Sequence, residues 1–564
     1  NYEEDIYLDW LLRQAESQEA RLAAELPDDF PFAEIPYRDY EEEGGWDDYA
    51  PIYIPMFGLY YGLSAQTVET GPRDWRGVMG HYWTTWQALL FAAENRQEMF
   101  HAQLEIYRRG TNFGGPEGGE FPYAHIIPMG HGQLNENEAV RTVNQLIGYD
   151  IEVKAAVRPF RYGGVWYPAG TFVVPLNQPL AGLANTLLWR GEDLTYDPGI
   201  PMYDIAAVNY PELWGFTRVV AEDPVWAKLR PVRRASMPRG AVIGWTGKYM
   251  LANETNDAIW AVNRLLAKGY RVSQLQEDVR GWDAGDFLVS APPWVVRDLA
   301  QSSHLTFKAA WRMPKADFKK LARVRIAAFT RRDDARAIPA DADAPNVPPL
   351  PETWPDGTAI NYGTSGTAGN ATVGPTVFVL KQLGFKVDIV READIIAGAL
   401  DDYDVIVTSE SAPGDETSAA RPLVTDYLAG DGAFVAFGSG GASFAQTFGY
   451  LPSFEALDSD SESNGISHVT LAQDNPITGC YPESDYVFDY FPAYFTDTTG
   501  LEVLATYPDD AFLAGFMPGY EAIYGHAAAV RKGDGVVFGN DPVFRAHIKN
   551  GFRMLANAIY SVDE

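Results

Sequence analysis

The feature that most restricts the fold of this 564-residue chain is an internal repeat: NEAVRTVNQLI at 137–147 returns 119 residues later as NDAIWAVNRLL at 256–266, with five identities in eleven positions. In both copies apolar residues recur three and four apart, the spacing of one helix face, and each copy opens with an Asn able to cap a helix. A short apolar segment precedes each copy. A strand-like run follows each, at 151–153 and 270–272, and a further one at 171–175 and 286–290 after a glycine-containing turn. A helix that recurs with its flanking strands is a folding unit, so the chain is expected to contain two related α/β modules.

Residues on either side carry signals of the same kind. Within 6–26, Leu8, Leu11, Leu12, Ala15, Leu22 and Leu26 fall on one helical stripe that stops at Pro27. The acidic run Glu41, Glu42 and Glu43 reads as solvated loop. Within GLYYGLSAQTVETG, residues 63–68 read as a buried strand that ends at Glu69, and 78–107 as a long helix halted by Gly110. From 325 the order is strand 325–329, a Pro-rich insertion to 356, helix 373–383, strands 386–390 and 405–408, helix 423–428 and strand 433–437. Buried strands separated by helices imply a parallel, doubly wound sheet.

Composition removes several functions. With 76 acidic and 44 basic side chains the formal charge is 44 − 76 = −32, which argues against nucleic acid and against an anionic membrane surface. No apolar run is long enough to span a bilayer. The single Cys480 excludes internal disulfides and Cys-rich metal sites, and no His-x-x-Glu or His-Glu-x-x-His occurs. His101, His125 and His131 read as ordinary buried or surface residues. GTSGTAGNATVG at 363–374 lacks the Gly-Lys-Ser/Thr ending of a phosphate loop. Gly438-Ser439-Gly440-Gly441 reads as a tight turn, because it is not Gly-x-Ser-x-Gly and no signature surrounds the downstream His468, His526 and His547. Glu69 differs: an acid ending a buried strand faces the crevice where α/β sheets place their sites, although a capping or salt-bridged Glu would look the same.

Three groups of segments, namely GLSAQTVETG with the helix after it, YPAGTFVVPLNQP with MYDIAAVNYPELWGF, and GDGVVFGNDPVFRAHIKNGFRMLANAI, carry a resemblance. Together they resemble the later half of large bacterial proteins of the zinc carboxypeptidase (carboxypeptidase A-like metallopeptidase) family with an appended glutamine-amidotransferase-like domain. The resemblance implies an α/β multidomain chain: 1–115 as the C-terminal part of a carboxypeptidase-like domain, 116–235 and 236–324 as the two related modules, and 325–564 as a flavodoxin-like, amidotransferase-like domain without glutaminase chemistry. It implies Glu69 as general base and either Tyr49 or Tyr53 as the Tyr that closes over the substrate. It also implies zinc, whose ligands this chain does not supply: no His precedes Glu69, so they are expected upstream of Asn1 or in another chain. The start at Asn1 rather than Met leads to the expectation that a preceding segment, a signal peptide among the candidates, has been removed.

The function expected on these grounds is a secreted or cell-surface metallocarboxypeptidase-like protein cutting peptides or the peptides of cell-wall polymers. The alternative is a non-catalytic extracellular binding or assembly protein on the same scaffold. The expected partners are a peptide substrate, an upstream chain completing the catalytic domain, and further copies of the chain. In a protein that contains the metal site, Glu69→Gln should lower peptide turnover about a hundredfold while leaving zinc content and folding intact. Turnover and metal analysis side by side decide this, and an unchanged rate removes Glu69 from the mechanism.

Overall fold

The computed structural model describes residues 3–26, 53–68, 75–115, 119–195, 205–312, 315–331, 373–414, 416–457 and 463–562. They form two compact units: Asn1–Pro238 with Ser459–Ile466 and Leu513–Pro518, and Arg239–Asp458 with Ser467–Phe512 and Gly519–Glu564.

The first unit opens with helices α1 (Glu4–Glu25), α2 (Ile54–Leu59) and α3 (Trp75–Thr111). The apolar stripe of α1 packs on α3, with Trp10 edge-on to Phe91 at 6.2 Å. Arg109, in the last turn of α3, ties the two helices by ion pairs to Glu3 at 2.7 Å and Asp5 at 2.8 Å. The strand expected at 63–68 is absent: these residues are irregular and Leu63 is 52% exposed. A strand needs a neighbour to satisfy its backbone, and no described strand pairs with this segment. Its polar side chains bond to α1 instead, Ser64 and Gln66 both to Gln14 at 3.0 and 2.9 Å. Glu69 and Tyr49 lie outside the described residues, as do 363–372 of the glycine-rich loop.

The same unit continues with β1 (Ala124–Ile127), α4 (Glu136–Gly148), β2 (Lys154–Ala156), β3 (Phe172–Pro175), α5 (Ala181–Leu188), β4 (Val219–Ala221) and β5 (Leu229–Pro231). The strands lie in the order β4-β1-β3-β2-β5, every pair antiparallel. The α4 cap is Asn135, which accepts from Glu138 N, so the repeat's Asn137 sits inside the helix and not at its cap. Strand β2 begins at Lys154, three residues later than the expected start at 151, because the helix exit passes through Asp150 in the left-handed region at φ 61°.

In the second unit the pattern returns: β6 (Ala241–Ile243), β7 (Lys248–Leu251), α6 (Asn256–Ala267), β8 (Arg271–Leu275), β9 (Phe287–Ser290), α7 (Pro293–Ser303), β10 (Thr306–Ala309) and β11 (Phe318–Lys320). The sheet order is β11-β8-β9-β7-β10-β6. Without β6, which joins β10 in parallel, the order β10-β7-β9-β8-β11 and its antiparallel pairings repeat those of the first module strand for strand. The repeated helices bury the same positions: Ala139, Val143 and Leu146 in one, Ala258, Val262 and Leu265 in the other.

Beyond it come β12 (Arg325–Thr330), α8 (Val373–Gln382), β13 (Lys386–Arg391), β14 (Val405–Thr408), α9 (Ala420–Ala429), β15 (Ala433–Phe437), α10 (Gly438–Thr447), β16 (Glu502–Thr506), β17 (Ala527–Lys532), β18 (Gly535–Phe538) and α11 (Phe552–Tyr560). Strands β13-β12-β14-β15-β18 are parallel, as the strand and helix alternation requires, and β17 and β16 extend the sheet antiparallel. Chain order reverses between β12 and β14, which makes their carboxyl ends the switch point of the sheet.

Because Leu146 and Leu265 are both fully enclosed, Leu146→Ala and Leu265→Ala should each cost about 2–5 kcal/mol of stability in urea unfolding. Lys268→Ala, at the exposed exit of α6, should stay within about 0.5 kcal/mol. A small loss at either leucine would mean that its helix face is not the buried one.

Candidate functional site

The carboxyl ends of β12, β14, β15 and β18 lie along one edge of the sheet, where α/β folds place their crevice; β12 and β14 end in Thr330 and Thr408, and β15 and β18 in Phe437 and Phe538, each followed by a glycine. Glu410, two residues past β14, bridges the switch point: it accepts from Thr330 Oγ1 at 2.6 Å and from Arg331 N at 2.8 Å. Its own N–H donates to Thr408 Oγ1 at 3.0 Å, and Arg331 Nη1 donates to Ser411 Oγ at 2.7 Å. A carboxylate carried just past β14 therefore closes over the gap between two parallel strands, held by two donors at the end of β12. Residues 330, 331 and 410 were not singled out in the sequence, although a Thr-Ser-Glu ending on a buried strand is the kind of signal that marks such a crevice.

Beside it, β15 passes into α10 through a sharp turn. Phe437 is extended, and Gly438 takes φ +67° while its N–H donates to Asn540 O at 3.1 Å. This is the strand, turn and helix form that holds a nucleophile in acyl-transfer enzymes of α/β architecture, where the strained residue itself carries the reactive atom. Here that residue is Gly438. A Cβ built on it meets nothing within 4 Å, so the position faces open space yet carries no side chain. The neighbouring glycines have another cause: a Cβ at Gly440 would lie 2.3 Å from Ser409 O, and one at Gly441 2.9 Å from the Ala436 carbonyl carbon. Those two glycines let α10 press against β14. The sequence reading of a tight turn is therefore extended: the turn opens a ten-residue helix, and Ser439 sits inside its first turn.

No base serves Ser439 among the described hydrogen bonds. His468 Nε2 bonds to Asp510 O at 2.8 Å, His526 stacks on Tyr494 at 5.5 Å, and His547 lies edge-on to Phe488 at 5.5 Å. After β18, Asp541 accepts from Val543 N at 2.9 Å, and burial raises its carboxyl to about 7. It is spent on its own loop, which runs through Arg545 and Ala546, both left-handed at φ 46° and 55°. Two consecutive non-glycine residues in left-handed backbone are a feature no sequence pattern announces.

Cys480 is far from thiolate chemistry. Desolvation pushes its thiol up to about 11, against the opposing influence of Arg553, and Asn557 Nδ2 donates to its sulfur at 3.2 Å. Tyr53 stands at the start of α2, packed against Tyr7, Met56 and Leu59. In the first unit, His125 is buried on β1 and bonds to Asn185 Oδ1 at 3.0 Å; burial, then the charge of Arg218, lower its pKa to about 3. His101 and His131 are exposed. Among the described residues no three His, Cys, Asp or Glu side chains come close enough to hold a metal ion, so the described donor set does not fit zinc. No described helix is long and apolar enough to cross a membrane.

No family model and no curated protein matches the chain. Among solved structures it is similar to a glutamine amidotransferase from Thermotoga maritima, 11% identical over 42% of this chain and 99% of that one, with a TM-score of 0.25. It is similar to the glutaminase domain of a Trypanosoma brucei CTPS with bound acivicin, 12% identical over 42% and 93%, TM-score 0.25. It is also similar to alpha-L-fucosidase isoenzyme 2 from Paenibacillus thiaminolyticus, 16% identical over 34% and 28%, TM-score 0.23. The named chemistries differ, and none of them says what this chain does.

Buried acids make the stability of this protein depend on pH. Desolvation raises Asp286 to about 7 and Asp485 and Asp489 to about 6, above the roughly 3.9 of a free Asp. Each is neutral in the fold at low pH, so its contribution is complete below the unfolded value and is lost as pH rises through the folded one. The urea midpoint should therefore fall between about pH 4 and 7. Asp489→Asn keeps an oxygen for the 2.7 Å bond from Tyr507 and should flatten that slope; an unchanged slope would show that Asp489 is charged in the fold.

Proposed function

We propose that this chain is a binding or assembly protein whose C-terminal α/β domain keeps the elbow of an acyl-transfer site without its nucleophile. The observation that carries this reading is Gly438: the residue with left-handed backbone at the end of β15, open to the crevice, has no side chain to attack a carbonyl. The sole thiol sits elsewhere with its pKa raised, and Ser439 has no histidine partner among the described hydrogen bonds. What remains at the crevice is a polar rim, Thr330, Arg331, Glu410 and Ser411, suited to holding a small polar group and supplying it no covalent step. The metallocarboxypeptidase expectation rests on Glu69 and on zinc ligands that the described residues do not provide.

One set of assays reads both. The chain, with and without added zinc, should release neither ammonia from glutamine nor amino acids from peptides above the buffer rate. A turnover that disappears in Ser439→Ala, or in Glu69→Gln, would overturn the reading. Gly438→Cys should cost about 1–2 kcal/mol for a side chain in left-handed backbone. Its thiol should react with a disulfide reagent at neutral pH at least about tenfold faster than the buried Cys480 thiol. Equal rates would mean that position 438 does not face the crevice.

A further inference from the structure

A concave surface lies on module two, and none of the elbow residues lines it. It is a cleft of about 370 Å³ with Met250, Trp282, Lys308, Trp311 and Arg312 in its lining. Met250 and Lys308 are cross-strand partners on β7 and β10, so the cleft is built on the sheet and not on a loop alone. Trp282 forms one wall. Its backbone is clamped in a turn by reciprocal bonds with Val279 at 2.9 and 3.0 Å, and Lys308 Nζ sits 5.1 Å from the centre of its ring. Trp311 forms the other wall and is 72% exposed; Gly244, at φ +81°, lets the β6–β7 turn come up beneath its indole, where a Cβ would lie 3.1 Å from Nε1. The next residue, Trp245, extends the aromatic surface and carries the Arg297 guanidinium 4.6 Å above its ring.

Charge sets this place apart. The chain has 76 acidic and 44 basic side chains, yet among the described residues the lining of the cleft contains two cations and no acid. Neither Lys308 nor Arg312 forms an ion pair with a described residue. Two cations left over beside open indoles, in an otherwise acidic molecule, are an anion site with an apolar platform. With Trp311 largely exposed, the platform is open to solvent, so it suits a ring with one apolar face and a hydrated rim better than a wholly apolar ring, which would need a deeper enclosure. A pyranose is such a ring: its C–H hydrogens, slightly positive, rest on the negative face of an indole while its hydroxyls stay in water. The volume is near the low end of the roughly 300–1,000 Å³ of small-molecule sites, room for one or two such rings.

We infer that this cleft binds a saccharide unit carrying a carboxylate, with the sugar face on Trp311 and the carboxylate between Lys308 and Arg312. Phosphate polymers are disfavoured because the remaining charge of the chain repels a long polyanion, whereas a single carboxylate meets only the local cations. The site is independent of the elbow and holds whether or not the C-terminal domain is catalytically silent.

The test is a titration of the full chain, followed by tryptophan fluorescence and calorimetry, with a uronic-acid disaccharide, its neutral glucose counterpart and N-acetylglycine. The acidic disaccharide should bind best, and Trp311→Ala should weaken it about tenfold or more. Because Trp311 is largely exposed, that variant should keep the parent's circular dichroism. Arg312→Gln should leave the neutral sugar unchanged and remove most of the preference for the acidic one. Absence of binding, equal binding of acidic and neutral sugars, or an unaffected Trp311→Ala would overturn the proposal. Tight binding of N-acetylglycine, or of anionic vesicles in place of the sugar, would do so too.

Discussion

The side-chain amide of Asn557 is the interaction on which the second unit depends. It is fully buried on α11, and every one of its hydrogen-bonding groups is used. Its oxygen accepts from Asn253 Nδ2 at 2.8 Å and Gln274 Nε2 at 3.3 Å, and its nitrogen donates to Ile477 O at 3.1 Å and Cys480 Sγ at 3.2 Å. One turn earlier Arg553, also buried, donates to Asn253 O and lies 4.1 Å over the Tyr481 ring. Buried amides tolerate few alternative arrangements, because each lost bond leaves a desolvated group behind. The network holds α11, the turn at 475–480 and the sheet of module two in one register. It also encloses the only thiol: burial in this network raises the pKa of Cys480, and the hydrogen bond from Asn557 offsets only part of that rise.

The two modules show how much one plan permits. Five strands and a helix recur with the same order and pairing, although only the first helix has a side-chain cap, so the ladder of the sheet was kept. The outer surfaces were free to diverge. In module two an added edge strand, β6, leads into the Gly244 turn that supports Trp311, and cross-strand pairing places Lys308 beside Met250. A duplicated fold thereby presents a surface chemistry of its own, which is why function is argued from side chains and not from topology.

At the C-terminal crevice the relation between backbone and chemistry is the reverse. Gly438 takes the left-handed turn with open space beside it, and Gly440 and Gly441 allow the close packing against β14. The geometry persists because it also serves packing: α10 contributes Phe444 and Ala445 to the core around Phe434 and Phe329. The strand-to-helix turn is therefore required by packing whether or not anything reacts there.

By itself the sequence determined the local elements. Periodicity located α1, α3, α8 and the strands β12, β14 and β15 to within a few residues, and the repeat announced two equivalent helices with equivalent buried positions. These are properties of neighbouring residues, set by which face must leave water. It misplaced β2 by three residues, because the left-handed exit at Asp150 has no local signature, and it made a strand of 63–68, which has β-branched and small residues but no partner to pair with. Only the tertiary structure decided that Glu410 reaches Thr330 across 80 residues, that Gly438 rather than Ser439 is the strained residue of its turn, and that Trp282 and Trp311 face one cleft. The physical reason is the same in each case: backbone conformation at a single turn and contact between distant strands are fixed by hydrogen bonds and burial shared over the whole sheet, and no short stretch of residues contains that information.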